Sequence, residues 1–174
     1  MANPTRQAFV RNVKSLKRQR PSSYPGSKET FSHGARLSDA FLLKRLGIWH
    51  DVLAPGKRTS WPHAHLREEE FVYVLKGNPS LWVNGKLVPL RPGDAVGFPA
   101  GTGIAHSILN NSRKPVEMLV VGEASVRGER LFYPMHPSHN RLIRRKGFYW
   151  AFRGYRPLGS HDGMPDLLRK SGVR

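Results

Sequence analysis

The chain contains no cysteine, which removes disulfides, thiolate metal ligands and a cysteine nucleophile, and suits a reducing compartment. It has no run of 18 or more apolar residues, so none of it reads as a membrane-spanning helix. Its start lacks the apolar block of roughly 7 to 15 residues that marks a secretory signal. Acidic residues are scarce, 12 against 29 Lys and Arg for a net charge of +17, and none precedes Glu29. What is present is 174 residues, 39% of them apolar, enough for one core and not two.

The excess charge sits at the two ends. Residues 1–42 hold 8 Lys and Arg against 2 acids, residues 43–126 hold 10 against 7, and residues 127–174 hold 11 against 3. The middle is therefore an ordinary globular composition. Arg6, Arg11, Lys14, Lys17, Arg18, Arg20 and Lys28 are interleaved with Phe9, Val10, Val13 and Leu16 at roughly helical spacing. Such a start has three readings: an organelle transit segment, an arm for nucleic acid, or a tail with no specific role. The corresponding expectations are a cytoplasmic protein with a mitochondrial alternative, and nucleic acid as a partner of the basic termini. "PSSYPGS" (21–27) is turn-rich, and the folded unit is expected to start near Phe31.

From Leu46 the apolar pattern alternates with period two. "LGIWHDVLA" stops at "PG", "FVYVL" stops at Gly77, and "SLWV" is joined to "KLVPL" by Asn84-Gly85, a two-residue hairpin signal. "AVGFP", "IAHSIL" and "VEMLVVGE" follow, each bounded by turn residues. Seven or eight short strands with hardly a helical period between them predict an all-β antiparallel sandwich or barrel.

The C-terminal stretch "RLIRRKGFYWAFRGYR" (141–156) sets Arg among Phe148, Tyr149, Trp150, Phe152 and Tyr155. Basic residues beside aromatics can hold a phosphate backbone and stack bases. They can also pack their rings on a domain while Arg stems lie along its surface, and that reading is preferred. "PLGSHDGMPDLLRK" (157–170) predicts a turn and a short closing helix with Pro165 and Asp166 at its start.

One stretch carries chemistry. In "WPHAHLREEEFVYVLKG" (61–77), residues two apart on a strand share a face, so His63 and His65 would present both imidazoles to one side. The third ligand of a metal could come from Glu69 or Glu70; alternation sets Glu70 with Val72 and Val74, and Glu69 with Phe71 and Tyr73. His106, in an apolar strand, is the fourth candidate, because such a setting disfavours a charged imidazole. Taken singly, each of these residues more often has a bland role as an exposed histidine, a solvated corner or a satisfied core histidine.

"HAHLREEEFVYVLKG" resembles the first motif of the cupin superfamily: His-x-His, three or four residues, Glu, six residues, Gly. Glu70 fits that register, four residues after His65 and six before Gly77, and Glu69 does not. "GDAVGFPAGTGIAHSILN" (93–110) resembles the second motif through Gly93, Pro99, Gly101, His106 and Asn110, with four residues instead of two between Gly101 and His106. The likeness to the core covers residues 46–124, and a wider likeness, through "YPGSKETFSHGARLSDAF", "FYP" and "RPLGSHDGMPD", is to a functionally undefined group of small single-domain cupins.

The resemblance implies a cupin double-stranded β-helix, a jelly-roll barrel, with a basic N-terminal extension (1–30), the barrel (31–126) and a C-terminal extension packed on it (127–174). It implies that His63, His65, Glu70 and His106 bind a divalent metal such as Fe, Mn, Ni, Zn or Cu, and that the protein is a homodimer with a small-molecule ligand. A three-imidazole, one-carboxylate set suits first-row metals without selecting one. Function divides three ways: a metal-dependent enzyme acting on a small oxygen-rich molecule by dioxygenation, isomerisation or decarboxylation; a non-catalytic sugar-binding or sensing module; or an interaction protein whose basic ends bind nucleic acid. Trp61, Tyr73, Trp82 and Phe98 are candidates to shape a pocket, and Tyr73 and Glu69 to move protons.

Overall fold

The computed structural model describes residues 9–154 and 157–171; Arg6 of the basic start and Tyr155 of the aromatic stretch lie outside the described residues. Among the described residues there are ten strands: β1 (His33–Arg36), β2 (Leu46–Leu53), β3 (Ala64–His65), β4 (Glu70–Lys76), β5 (Ser80–Val83), β6 (Lys86–Pro89), β7 (Ala95–Phe98), β8 (His106–Leu109), β9 (Val116–Glu123) and β10 (Leu131–Phe132). Three short α-helices accompany them, α1 (Leu37–Ala40), α2 (Pro137–Arg145) and α3 (Asp166–Lys170). The sheets run β1-β2-β9-β4-β7, β6-β5-β8 and β10-β3, and every strand pair in them is antiparallel.

Alternation decides which side chains face inward. On β4, Val72 and Val74 are buried while Phe71, Tyr73 and Leu75 stand outside. Register lines Val72 up with Val120 of β9, and Val120 with Trp49 of β2, as one inner row. Leu53, Val72, Val74, Leu81, Ile108, Val116 and Met118 close the core, each burial contributing on the order of 1.5–3 kcal/mol. Asn84 (φ 45°) and Gly85 (φ 82°) both take the left-handed conformation, as a two-residue turn between twisted strands requires.

Both extensions are tied to the barrel. The Gln19 N–H donates to Gly34 O (2.8 Å) and the Phe31 N–H to Ser22 O (3.1 Å), so residues 19–22 run antiparallel beside residues 31–34 and lengthen the β1 edge. Glu29 is 5% exposed and accepts from both Arg58 and Trp61, so the compositional boundary at residue 30 falls within a stretch laid on the barrel. On the other side, β10 pairs with β3, Trp150 packs on Ala64, Trp82, Ala105 and Leu109, and Phe152 lies against Trp150 (5.0 Å) and Phe132 (6.0 Å). Arg144 covers the Tyr149 ring at 4.4 Å, whereas Phe148 stays exposed. The basic-aromatic stretch thus spends most of its described rings on packing. Part of it is also helical, since α2 reaches Arg145.

Candidate metal centre

The four residues singled out by the paired motifs converge. One ligand atom from each of His63, His65, Glu70 and His106 can be chosen so that all lie within 4.8 Å of one another. A bridge between His63 and His106 joins the two motifs directly, with the His63 N–H donating to His106 O (3.2 Å) and the His106 N–H to His63 O (2.9 Å). Glu70 enters from β4 on the face of Val72 and Val74, and its carboxylate oxygens stand 3.7 Å from His65 Nε2 and 3.7 Å from His106 Nε2.

Each imidazole is oriented through its other nitrogen. His63 Nδ1 lies 2.8 Å from Trp61 O, His106 Nδ1 lies 3.3 Å from Ile104 O, and His65 Nδ1 lies 3.3 Å from Glu129 Oε1. An N–H donated at Nδ1 leaves the Nε2 lone pair for the centre, the arrangement by which outer acceptors fix a ligand tautomer. Nε2 of His65 and of His106 are buried without any hydrogen-bond partner, which would cost roughly 1–3 kcal/mol each if nothing filled the place. Ligands about 2.1 Å from a shared ion stand at most about 4.2 Å apart, so modest side-chain closure would bring this set to a divalent metal. The donors fit such an ion.

The electrostatics favour a neutral His63 and an ionised Glu70. Burial, helped by the neighbouring imidazoles, lowers the His63 pKa to about 3, keeping the ring neutral. Burial acts to raise Glu70, but the close approach and charge of His106, with His63 and His65, bring it down to about 2, so it is ionised. For His65 burial acts downward and the carboxylates Glu129, Glu70 and Glu68 outweigh it, giving a net rise.

Phe98 stacks on His106 with ring centroids 3.5 Å apart and forms one wall. Trp82 is wholly buried with its indole N–H on His161 O (2.8 Å), a core residue away from the centre. Trp61 faces elsewhere, stacked between Tyr24 (4.2 Å) and His136 (4.0 Å). Tyr73 and Glu69, the candidates for moving protons, are corrected by the structure: Tyr73 projects from the outer side of β4, 37% exposed, and Glu69, just before that strand, is exposed as well, because they alternate with the inward Glu70, Val72 and Val74. The longer turn before His106 does not displace it. Its Gly103 (φ 70°) sits against the Phe152 ring, where a Cβ would collide.

Two neighbours of the centre had no motif to announce them. Glu129 accepts from the backbone N–H of Arg67 (2.8 Å), Glu68 (2.7 Å) and Leu66 (3.2 Å) as well as facing His65. Asp51, on β2, lines a cavity of about 260 Å³ together with His63, Glu70, Trp49, Val72 and Val120. Burial raises its carboxyl pKa, opposed by the Ser32 hydroxyl (2.8 Å) and reinforced by the charge of Glu70. Gly34 lies directly opposite on β1, and a Cβ there would strike the Asp51 carboxylate. The only sequence signal was a lone acid in a strand.

The family model for the cupin domain matches residues 49–122. A sugar phosphate isomerase of the cupin superfamily from Silicibacter pomeroyi is 32% identical, with a TM-score of 0.65 over 70% of this chain and 79% of that one. A candidate sugar phosphate isomerase from Acidithiobacillus ferrooxidans is also 32% identical, with a TM-score of 0.65 over 75% of this chain and 83% of that one. Mannose-1-phosphate guanylyltransferase from Klebsiella pneumoniae is 29% identical over 123 residues, 71% of this chain, and the chain spans 26% of that protein's length. With both motifs joined at one centre inside an antiparallel double-sheet barrel, the chain belongs to the cupin superfamily.

Proposed function

We propose that this chain is a metal-dependent enzyme acting on a small oxygen-rich metabolite, and that its reaction is the isomerisation of a sugar phosphate. The observation that carries the reading is the convergence of three oriented imidazoles and Glu70 at a cavity that also holds a second carboxylate, Asp51. Likeness to two proteins described as a sugar phosphate isomerase and a candidate one supports the substrate class.

His63, His65, His106 and Glu70 would hold the metal, with Trp61 O, Glu129 and Ile104 O keeping the three rings in place. Once bound, a divalent metal polarises a substrate carbonyl or hydroxyl oxygen. Trp49, Val72 and Val120 give the cavity an apolar wall that excludes water from the reacting carbons. Asp51 takes the proton from the carbon that bears a hydroxyl beside the carbonyl. That C–H electron pair becomes a C=C bond as the carbonyl pair moves to oxygen. Returning the proton to the former carbonyl carbon, with one proton passing between the two oxygens, completes the isomerisation without another reagent. A carboxyl held above its ordinary range suits a group that must both take and return a proton.

Metal-reconstituted protein incubated with aldose and ketose phosphates in deuterated water tests the reading. Interconversion with solvent deuterium at the carbon beside the carbonyl is expected, and Asp51→Asn should lose at least 100-fold in rate while keeping its metal. Metal-loaded protein that turns over none of them sinks the isomerase and leaves a binding module.

A further inference from the structure

The cavity beside the metal centre runs along the inner face of the five-stranded sheet. From Glu70 on β4 it passes Val72, Val120 and Trp49 and ends at Gln19 and Arg20, on the segment beyond the β1 edge. Crossing from β4 through β9, β2 and β1 to that segment is four strand spacings, roughly 19 Å of backbone separation. Gln19, Arg20, His63 and Glu70 nonetheless border one cavity. Gln19 and Arg20 also line a second depression, shared with Lys17, Arg18, Arg36 and Asp39.

The second depression gathers four cations and one carboxylate. Asp39 is taken by Arg36 at 3.5 Å. Among the described residues no carboxylate pairs with Lys17, Arg18 or Arg20. Arg18 approaches His50 Nδ1 at 3.5 Å, while its Nη1 is buried with no partner. Unpaired guanidinium donors gathered beside one another repel unless an anion joins them, and phosphate matches the guanidinium fork.

We infer that Arg20, backed by Lys17 and Arg18 in the adjoining depression, forms the subsite for the substrate's phosphate group, so that the N-terminal segment supplies the anion-recognising end of a site whose other end is the metal centre. This rests on the sugar phosphate reading above. A nucleic-acid backbone would meet the same cations, but Arg20, with Gln19, also lines the cavity that contains His63 and Glu70. Among the described residues, the rings of the basic-aromatic stretch that could stack bases are mostly spent on packing.

Isothermal titration of the metal-loaded full chain with inorganic phosphate, fructose 6-phosphate, fructose and a single-stranded oligonucleotide separates the outcomes. Phosphate and fructose 6-phosphate are expected to bind, with the sugar phosphate at least tenfold tighter than phosphate or fructose alone. Arg20→Ala, at an exposed side chain, should weaken both at least tenfold with metal content unchanged, and Arg18→Gln/Arg20→Ala should weaken them further. Far-UV circular dichroism checks that the double variant is folded, and Arg20→Ala keeps the test decisive if it is not. Wild-type protein that binds neither phosphate compound, or variants that bind them as wild type does, overturns the subsite. Oligonucleotide binding that free phosphate does not compete overturns it in favour of a nucleic-acid surface. Phosphate binding without turnover sinks the isomerase reading alone, and turnover unaffected by Arg20→Ala sinks the subsite alone.

Discussion

Arg58 grips Glu29 with two parallel hydrogen bonds, Nε to Oε1 and Nη2 to Oε2, both 2.7 Å, while its Nη1 donates to Gly163 O at 2.7 Å. Arg58 is 2% exposed and Glu29 5%, so one guanidinium fastens an N-terminal residue and a C-terminal one to the barrel. Removing one partner of a buried pair leaves the other charge uncompensated, at a cost of about 3–5 kcal/mol. Glu29→Gln should therefore lower the urea-unfolding free energy by about that amount. Glu29→Leu/Arg58→Met should recover most of it, and a loss under about 1 kcal/mol in the single variant would count against the pairing.

Metal content gives the second expectation. Protein purified without a histidine tag should carry one divalent ion per chain, and His63→Ala/His65→Ala or Glu70→Gln should carry little. Chelation should lower the melting temperature, since an ion at about 100 times its Kd adds about 2.7 kcal/mol to the folded state. Equal metal in wild type and variants would remove the site.

Glu129 should matter almost as much as a ligand. It faces His65 Nδ1 and anchors three successive backbone N–H groups. Glu129→Gln is expected to weaken metal affinity roughly 10- to 100-fold, measured by competition with a chromophoric chelator. Unchanged affinity would make Glu129 a loop anchor alone.

His136 sets a pH dependence of stability. Burial first, then the charge of Arg58, lowers its pKa to about 4, while in the unfolded chain it titrates near the ordinary value of about 6.5. Between those two values the unfolded state binds more protons, so the contribution is complete above about pH 6.5 and is lost as the pH falls through about 4. The ring is partly exposed, so the span is on the order of 1–2 kcal/mol after solvent screening. Unfolding curves at pH 7 and pH 4.5 should differ less in His136→Phe than in wild type; an equal difference would assign the effect elsewhere.

Phe71, Tyr73 and Leu75 leave an apolar strip on the outer face of β4, 42%, 37% and 44% exposed. A homodimer through this face is expected, with light scattering giving twice the monomer mass for wild type and one monomer for Phe71→Asp/Tyr73→Asp. A monomeric wild type would leave the strip unexplained by self-association.

Much of the barrel was legible because its signals are local. The Asn84-Gly85 turn, the stop at Gly77 and the alternation of Val72 and Val74 are each contained in a few residues. The Glu70 to Gly77 spacing chose among three glutamates, and the structure sets Glu70 inward and Glu69 outward. Tyr73 was misplaced because an aromatic among alternating apolar residues does not say which face is the core. Glu29 with Arg58, Glu129 with His65 and Gln19 with Gly34 were invisible, since each pairs residues far apart in the chain with no spacing rule between them. The two-residue strands β3 and β10 fell below any periodic signal, as two residues cannot display alternation.

The pairing of β10 with β3, and the reach of Glu129 back to His65, give the centre an order in time. All four candidate ligands are in the chain once His106 is added, yet the strand that braces His65 and the carboxylate that turns its ring come more than twenty residues later. A nascent chain ending at residue 126 would own every ligand and hold one of them loosely. Synthesis would thus finish the barrel before it finishes the site, and the ion would find its full grip only when the tail has folded back.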